Sequence, residues 1–175
     1  MNFSELTKVR QSCRSYDASR EVEGELLEAI VASARLAPSA CNSQPYFLTV
    51  CTGETAKQVI DQTMGQGRNS FAKDAPAAIV ISEMPYSQRA EQGAAAMQND
   101  FRSIDIGIVA AYITAEAADR GLGSCILGWL EDVEIRRICN LSGKVRLVIL
   151  LGYAKDDGVR EKIRKDNDQL ISYLK

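Results

Sequence analysis

The sequence predicts an α+β fold in one domain spanning residues 1–175, and three observations carry that expectation. Four short segments, Tyr46–Cys51, Ala77–Ile81, Ser124–Leu127 and Lys144–Tyr153, have the aliphatic and aromatic composition of strands. Around them run stretches whose apolar residues recur every three or four positions, the period of a helix packed on one face. The 175 residues contain no internal repeat, low-complexity segment or linker, so they fit a single core.

Phe3, Leu6 and Val9 predict a short helix that delivers the chain to Arg10. Leu26, Leu27, Ile30, Val31 and Ala34 share a face of a helix over about 23–37, stopped by Pro38 because the residue before a proline is pushed out of helical geometry. A turn-rich loop, Pro38 to Pro45, then feeds the first strand. A helix over 55–64 follows, striped by Ala56, Val59, Ile60 and Met64, and then a loop over 65–70. Ala77–Ile81 is fully apolar, the pattern of a strand buried on both faces. Residues 84–93 are polar and expected to be mobile. From about Ala94 to Arg120 the alanine-rich sequence predicts one long helix with Phe101, Ile104, Ile108, Ala111, Tyr112 and Ala115 as its stripe. Val109, Ile113 and Ala118 widen that stripe, so the helix is expected to be buried on more than one side and to serve as a subunit interface. Gly121–Gly123 closes it, a helix over 131–139 separates the last two strands, and a charged run follows Gly152. Leu170–Leu174 is apolar but too short to stand alone, which predicts docking on a sheet or another subunit.

Bulk properties narrow the function. Apolar content of 46% and charged content of 25% are ordinary for a globular protein. A net charge of −2 gives no basis for nucleic-acid or membrane-surface binding. No run reaches the ~20 apolar residues of a membrane helix, and Glu5 interrupts any signal-peptide layout, so a cytoplasmic location is expected. The chain has no histidine, which removes Ser-His-Asp and Cys-His catalysis and the usual transition-metal sites. Five cysteines without a Cys-x-x-Cys spacing read as free thiols, mostly filling core space. Catalysis therefore needs carboxylates, thiols, lysines or a cofactor.

Arg10-Gln-Ser-Cys-Arg14 places two guanidinium groups around the Ser12 hydroxyl, a donor set suited to phosphate oxygens as well as to solvated surface charge. A second basic step, Lys162-x-Arg164, lies near the other end, where a solvated tail is the plainer reading. The loop over 65–70 contains Gly65 and Gly67 but lacks the third glycine and preceding strand of a dinucleotide fingerprint.

Several ordered blocks resemble the FMN-dependent nitroreductases. Arg10-x-Ser12-x-Arg14-x-Tyr16 is similar to that family's Arg-x-Ser-x-Arg-x-Phe opening, and Ala34-Arg-Leu-Ala-Pro-Ser39 followed by Asn42-Ser-Gln-Pro45-Tyr46 to its Ala-Arg-x-Ala-Pro-Ser and Asn-x-Gln-Pro-Trp block. Asp105-x-Gly107, Gly121-Leu-Gly-Ser124 and Gly128 continue the order. The resemblance implies a three-layer sandwich with a central, mostly antiparallel sheet flanked by helices, an intertwined homodimer, and FMN at the subunit interface. It assigns the FMN phosphate and ribityl chain to Arg10, Ser12 and Arg14, with Lys162 or Arg164 closing over the phosphate. Pro38, Ser39, Ala40 and Asn42 would come from the other subunit to the isoalloxazine, and Ile126, Leu127 and Gly128 would line its other side. Arg68 or Asn69 would reach the pyrimidine edge, and a tail over about 159–175 would dock on the partner. The implied activity is two-electron transfer from NAD(P)H to a small-molecule acceptor, a nitroaromatic or quinone, by a ping-pong mechanism. A flavin sensor or carrier without turnover, or a dehalogenase-type or flavin-fragmenting enzyme, shares the same residues. The chain departs from the pattern where Cys41 occupies a position at which glycine is frequent, where Tyr46 replaces the common tryptophan, and over the region 62–93, which lacks the long insert of larger members. Cys41 is expected to fill space beside the ring, since none of its immediate neighbours is cationic to activate a redox thiol.

Overall fold

The computed structural model describes residues 1–156 and 158–174; Asp157 of the predicted polar turn and Lys175 of the tail lie outside the described residues. Four strands, β1 (Tyr46–Thr52), β2 (Ala77–Glu83), β3 (Gly123–Leu127) and β4 (Val145–Gly152), form one sheet in the order β1-β2-β4-β3. All three pairings are antiparallel, in registers such as Val50 with Ile79 and Val80 with Val148.

The side-chain alternation of strands divides the core in two. On one face Ala78, Val80, Val148 and Leu150 meet Val59, Ile60 and Ile135 of α3 (Gly53–Asp61) and α6 (Asp132–Cys139). On the other, Ile79, Ile81, Ile149 and Leu151 meet Leu27 and Ile30 of α2 (Gly24–Ala34) and Ile106, Val109 and Ile113 of α5 (Phe101–Asp119). Helix, sheet and helix make three layers. Burying each such side chain contributes roughly 1.5–3 kcal/mol. Cys13, Cys51 and Cys125 are buried in the first core as small apolar fillers, and all five thiols are free. The Cys51 thiol touches that of Cys139 at 3.9 Å, and burial pushes the Cys51 pKa up to about 12.

The middle of the chain departs from expectation. Within the expected polar stretch 84–93, residues 88–93 are helical, and the helix predicted from Ala94 does not run unbroken. Ser87 caps a separate helix, α4 (Gln88–Met97), by accepting from the Ala90 N–H. Gln98 ends it in a left-handed conformation at φ 49°. Asp100 then caps α5 by accepting from the Ser103 N–H at 3.1 Å. These polar residues satisfy helix ends instead of decorating a helix surface.

The stripe expected on α5 also turns outward. Its core face is Ile106, Val109, Ala110, Ile113 and Ala117, whereas Ile104 and Tyr112 are 49% and 38% exposed. α2 stops at Ala34: the Leu36 and Ala37 N–H groups donate to the Ser33 and Ala34 carbonyls in i→i+3 turns ahead of Pro38. α1 (Phe3–Val9) forms as predicted, opened by a capping box between Asn2 and Glu5.

Candidate cofactor site

The segment after α1 lies along the sheet because two glycines make room for it. Ser12 bridges to Ser124 at the outer edge of β3, and Tyr16 bridges to Ala154 just past β4. Between them the segment passes Gly123 and Gly152, which are partners in the β3–β4 register. A Cβ on Gly123 would stand 2.8 Å from Cys13 Sγ, and one on Gly152 would stand 2.6 Å from Pro76 Cδ and 2.9 Å from Tyr16 Cδ1. Any larger residue would displace the arginine-bearing segment.

The charged run after Gly158 crosses back over this segment. Lys162 Nζ donates to the carbonyls of Thr7 and Arg10 at 2.7 and 2.6 Å, capping α1. Gln11 donates to the Gly158 carbonyl at 2.7 Å and accepts from the Arg160 N–H at 3.0 Å, while the Arg160 guanidinium donates to the Ser12 carbonyl. The result is a cavity of about 280 Å³ lined by Arg10, Ser12, Arg14, Arg160, Lys162 and Arg164, with Glu161 as its one carboxylate. A second cavity of about 580 Å³ continues from it past Gly123 and Ser124 towards Gly121.

The electrostatics of this pocket are one-sided. Among the described residues, none of its five cationic groups makes an ion pair with a carboxylate. Burial lowers the pKa of Lys162, and repulsion from Arg10 and Arg164 lowers it further. A dianionic phosphate would relieve that repulsion and meet forked donors in number, so the residues fit a phosphate monoester. Both basic steps expected from the sequence are thus brought together, and Arg160 and Gln11 join them. Arg160 stands two residues before Lys162 and four before Arg164, so in an extended segment all three share one side.

Ile126, Leu127 and Gly128 lie at the far end of β3, whose outer edge carries no strand among the described residues. Ile126 and Gly128 are exposed while Leu127 is buried. Arg68 reaches this end, its guanidinium stacked 4.0 Å above the Trp129 ring, and Arg14 lies 5.9 Å from the centre of the Phe71 ring. Asn69 sits at φ 52° and donates from its amide to the Thr63 carbonyl at 3.0 Å, closing the loop that holds Arg68.

Pro38, Ser39, Ala40 and Asn42 are elsewhere. Their loop holds three residues in the left-handed region, Cys41 and Asn42 at φ 50° and Gln44 at 46°, at a cost of order 1 kcal/mol or more each. That conformation explains physically why glycine suits position 41. Cross-links hold it: Ser39 Oγ accepts from the Gln44 N–H at 2.9 Å, Ser43 Oγ from the Ser87 N–H at 2.7 Å, and buried Asp105 from the Ala40 N–H at 3.0 Å. Asp105 belongs to the first half of α5, whereas Ala118, near its end, lines the cavity beside Arg10. At ~1.5 Å per residue these points stand roughly 20 Å apart along the helix. One chain therefore does not bring the Pro38–Asn42 loop to its own cationic pocket.

Similarity to known proteins agrees with this geometry. A family model described as the nitroreductase family matches residues 7–66 and 55–153. A Methanothermobacter thermautotrophicus protein, provisionally named an NADH dehydrogenase/NAD(P)H nitroreductase, is 31% identical over 97% of this chain and 87% of its own length. The crystal structure of a nitroreductase family protein from Streptococcus pneumoniae superposes with a TM-score of 0.82 at 19% identity, covering 99% of this chain and 100% of that one. A Clostridium difficile protein described as an FMN-dependent nitroreductase superposes with a TM-score of 0.75 at 28% identity over 97% and 98% of the two chains. Fold, ordered sequence blocks and family match coincide over most of the chain, which belongs to the nitroreductase family.

Proposed function

We propose that the protein is an FMN-dependent oxidoreductase that acts as a homodimer. The observation that carries this reading is the cationic pocket assembled from Arg10–Arg14 and Arg160–Arg164, whose charges lack carboxylate partners among the described residues. The names of the Methanothermobacter and Clostridium relatives support it, one for NAD(P)H and the other for FMN. Bound FMN would supply the two-electron chemistry, accepting hydride from NAD(P)H and passing it to a nitroaromatic, quinone or similar acceptor in ping-pong order.

The protein's part is to hold and shape. Arg10, Ser12, Arg14, Arg160, Lys162 and Arg164 grip the phosphate. Ile126–Gly128 offer a backbone edge and Arg68 a cation alongside the ring. Pro38–Asn42 of the second subunit complete the site, because the loop in the same chain stands too far along α5. The exposed apolar face of α5, with Ile104, Ala111 and Tyr112, supplies a surface for that subunit. The exposed Leu170, Ile171, Tyr173 and Leu174 supply another.

Reconstitution tests the reading. The purified protein mixed with FMN should elute yellow as a dimer, bleach anaerobically with NADH or NADPH, and recolour on addition of a nitroaromatic or quinone. A protein that cannot be loaded with FMN refutes cofactor binding; one that loads but does not bleach with either nucleotide refutes turnover.

A further inference from the structure

Asp105 is a costly residue to keep where it is. It is 2% exposed in the middle of an apolar layer formed by Ile106, Val109 and their neighbours. Oδ1 accepts one hydrogen bond, from the Ala40 N–H at 3.0 Å, and Oδ2 has no partner among the described residues. A buried carboxylate with a single donor is poorly compensated, and an apolar side chain there would serve packing better. Its one bond ends on the loop whose backbone is bent through Cys41, Asn42 and Gln44 into the left-handed region. Ala40 is the residue immediately before that bend. A charge-assisted bond from a rigid helix interior fixes the start of the bend, where a neutral acceptor would hold it less firmly. The other cross-links, Ser39 with Gln44 and Ser43 with Ser87, tie the loop to itself and to the cap of α4. Among the described residues, the Asp105 bond is the one hydrogen bond that ties residues 38–42 to α5.

We propose that Asp105 is the positioning residue of the flavin-ring site: it holds the Pro38–Asn42 loop in the conformation that packs on the isoalloxazine of the other subunit. This rests on the FMN reading above. Asp105 touches no part of the phosphate pocket, so its effect belongs to the ring and is independent of the phosphate.

The test compares FMN with riboflavin, which has the ring and lacks the phosphate. Both are titrated into wild type, Asp105→Ala, Asp105→Asn and Arg10→Ala, with amide hydrogen exchange of residues 38–44 followed in the flavin-free proteins. Asp105→Ala should fold as a dimer, weaken FMN and riboflavin by the same factor of about 10–100, and speed Ala40 exchange while β4 stays protected. Asp105→Asn, which retains a neutral acceptor, should lie between wild type and alanine for all three readouts. Arg10→Ala should weaken FMN far more than riboflavin and leave Ala40 exchange unchanged. Unchanged flavin affinity in a folded Asp105 variant, or a loss confined to FMN, overturns the assignment. If Asp105→Ala does not fold, Asp105→Asn decides by the same criteria. A wild-type protein that binds neither flavin overturns the FMN reading and this inference with it; one that binds both, alongside unaffected Asp105 variants, overturns the inference alone.

Discussion

Lys162 is the side chain in which the pocket's charge becomes measurable. Its pKa in the ligand-free protein is lowered by burial and then by Arg10 and Arg164. A bound phosphate dianion pulls it back up. Affinity for FMN is therefore fully present below the lowered value and is lost as pH rises from that value through the raised one of the complex. On the acid side affinity weakens below about pH 6, as the phosphate takes up its second proton. Lys162→Arg should keep the acid limb and remove the alkaline one, since a guanidinium stays charged. Fluorescence titration of FMN from pH 5 to pH 10, taken in steps of about one pKa unit around these limits, checks the shape. At this scale the sequence was partly legible. Arg10, Ser12, Arg14, Lys162 and Arg164 were visible as residue types suited to a phosphate. Arg160 and Gln11 were not, because their role is to fasten two segments about 150 residues apart in sequence. The every-second-residue spacing from Arg160 to Arg164 was the available signal.

Among the elements, the junction between α4 and α5 shows where periodicity misleads. The stretch 94–120 has helical composition throughout, so only caps could reveal the break, and Gln98, Asn99 and Asp100 look like exposed positions of one helix. Asp100 instead receives the Ser103 N–H and hydroxyl, which hold its carboxyl below the usual range. Asp100→Ala should cost about 1 kcal/mol, read as a lower urea midpoint with an unchanged slope. The difference from wild type should be complete above the ordinary carboxylate pKa and fade as pH falls through the lowered one. The outward turn of the expected α5 stripe has a similar origin. Apolar residues cover most of this helix, and the sequence alone does not say which arc meets the sheet. The strands carried clearer information. Ala77–Ile81 is a continuous apolar run and the stretch ending at Gly152 is nearly so, broken by Arg146, and they became β2 and β4, the inner pair of the sheet.

For the molecule as a whole, the three layers leave an apolar arc of α5 exposed, and the Pro38–Asn42 loop stands away from the cationic pocket of the same chain. Both point to the same remedy. Ala111 is exposed on that arc between Ile104 and Tyr112. Ala111→Arg would set a charge against the proposed second subunit while leaving the core of its own chain intact. Sedimentation should show a folded monomer, and FMN affinity should fall by at least ~100-fold, because half of each ring site is lost with the partner. A variant that remains dimeric, or a monomer that keeps FMN, contradicts the shared site. The composition had suggested an interface on this helix, but the separation of loop and pocket along α5 required the fold.

The crossing of the charged segment over Arg10–Arg14 carries one more consequence, for the lifetime of the protein. From Val159 to Lys165 the chain has no regular secondary structure and is mostly exposed, with Arg160, Lys162, Arg164 and Lys165 in quick succession. Its described ties to the rest of the chain are a few hydrogen bonds to Thr7, Arg10, Gln11 and Ser12. Extended backbone rich in basic residues is what a trypsin-like protease takes into its cleft. A bound phosphate would occupy those residues and hold the crossing shut, and in its absence their mutual repulsion would oppose the crossing. Brief trypsin treatment should therefore clip the flavin-free protein after these residues and spare the loaded one. If the cationic pocket binds FMN as proposed, this crossing would let proteolysis sort filled molecules from empty ones.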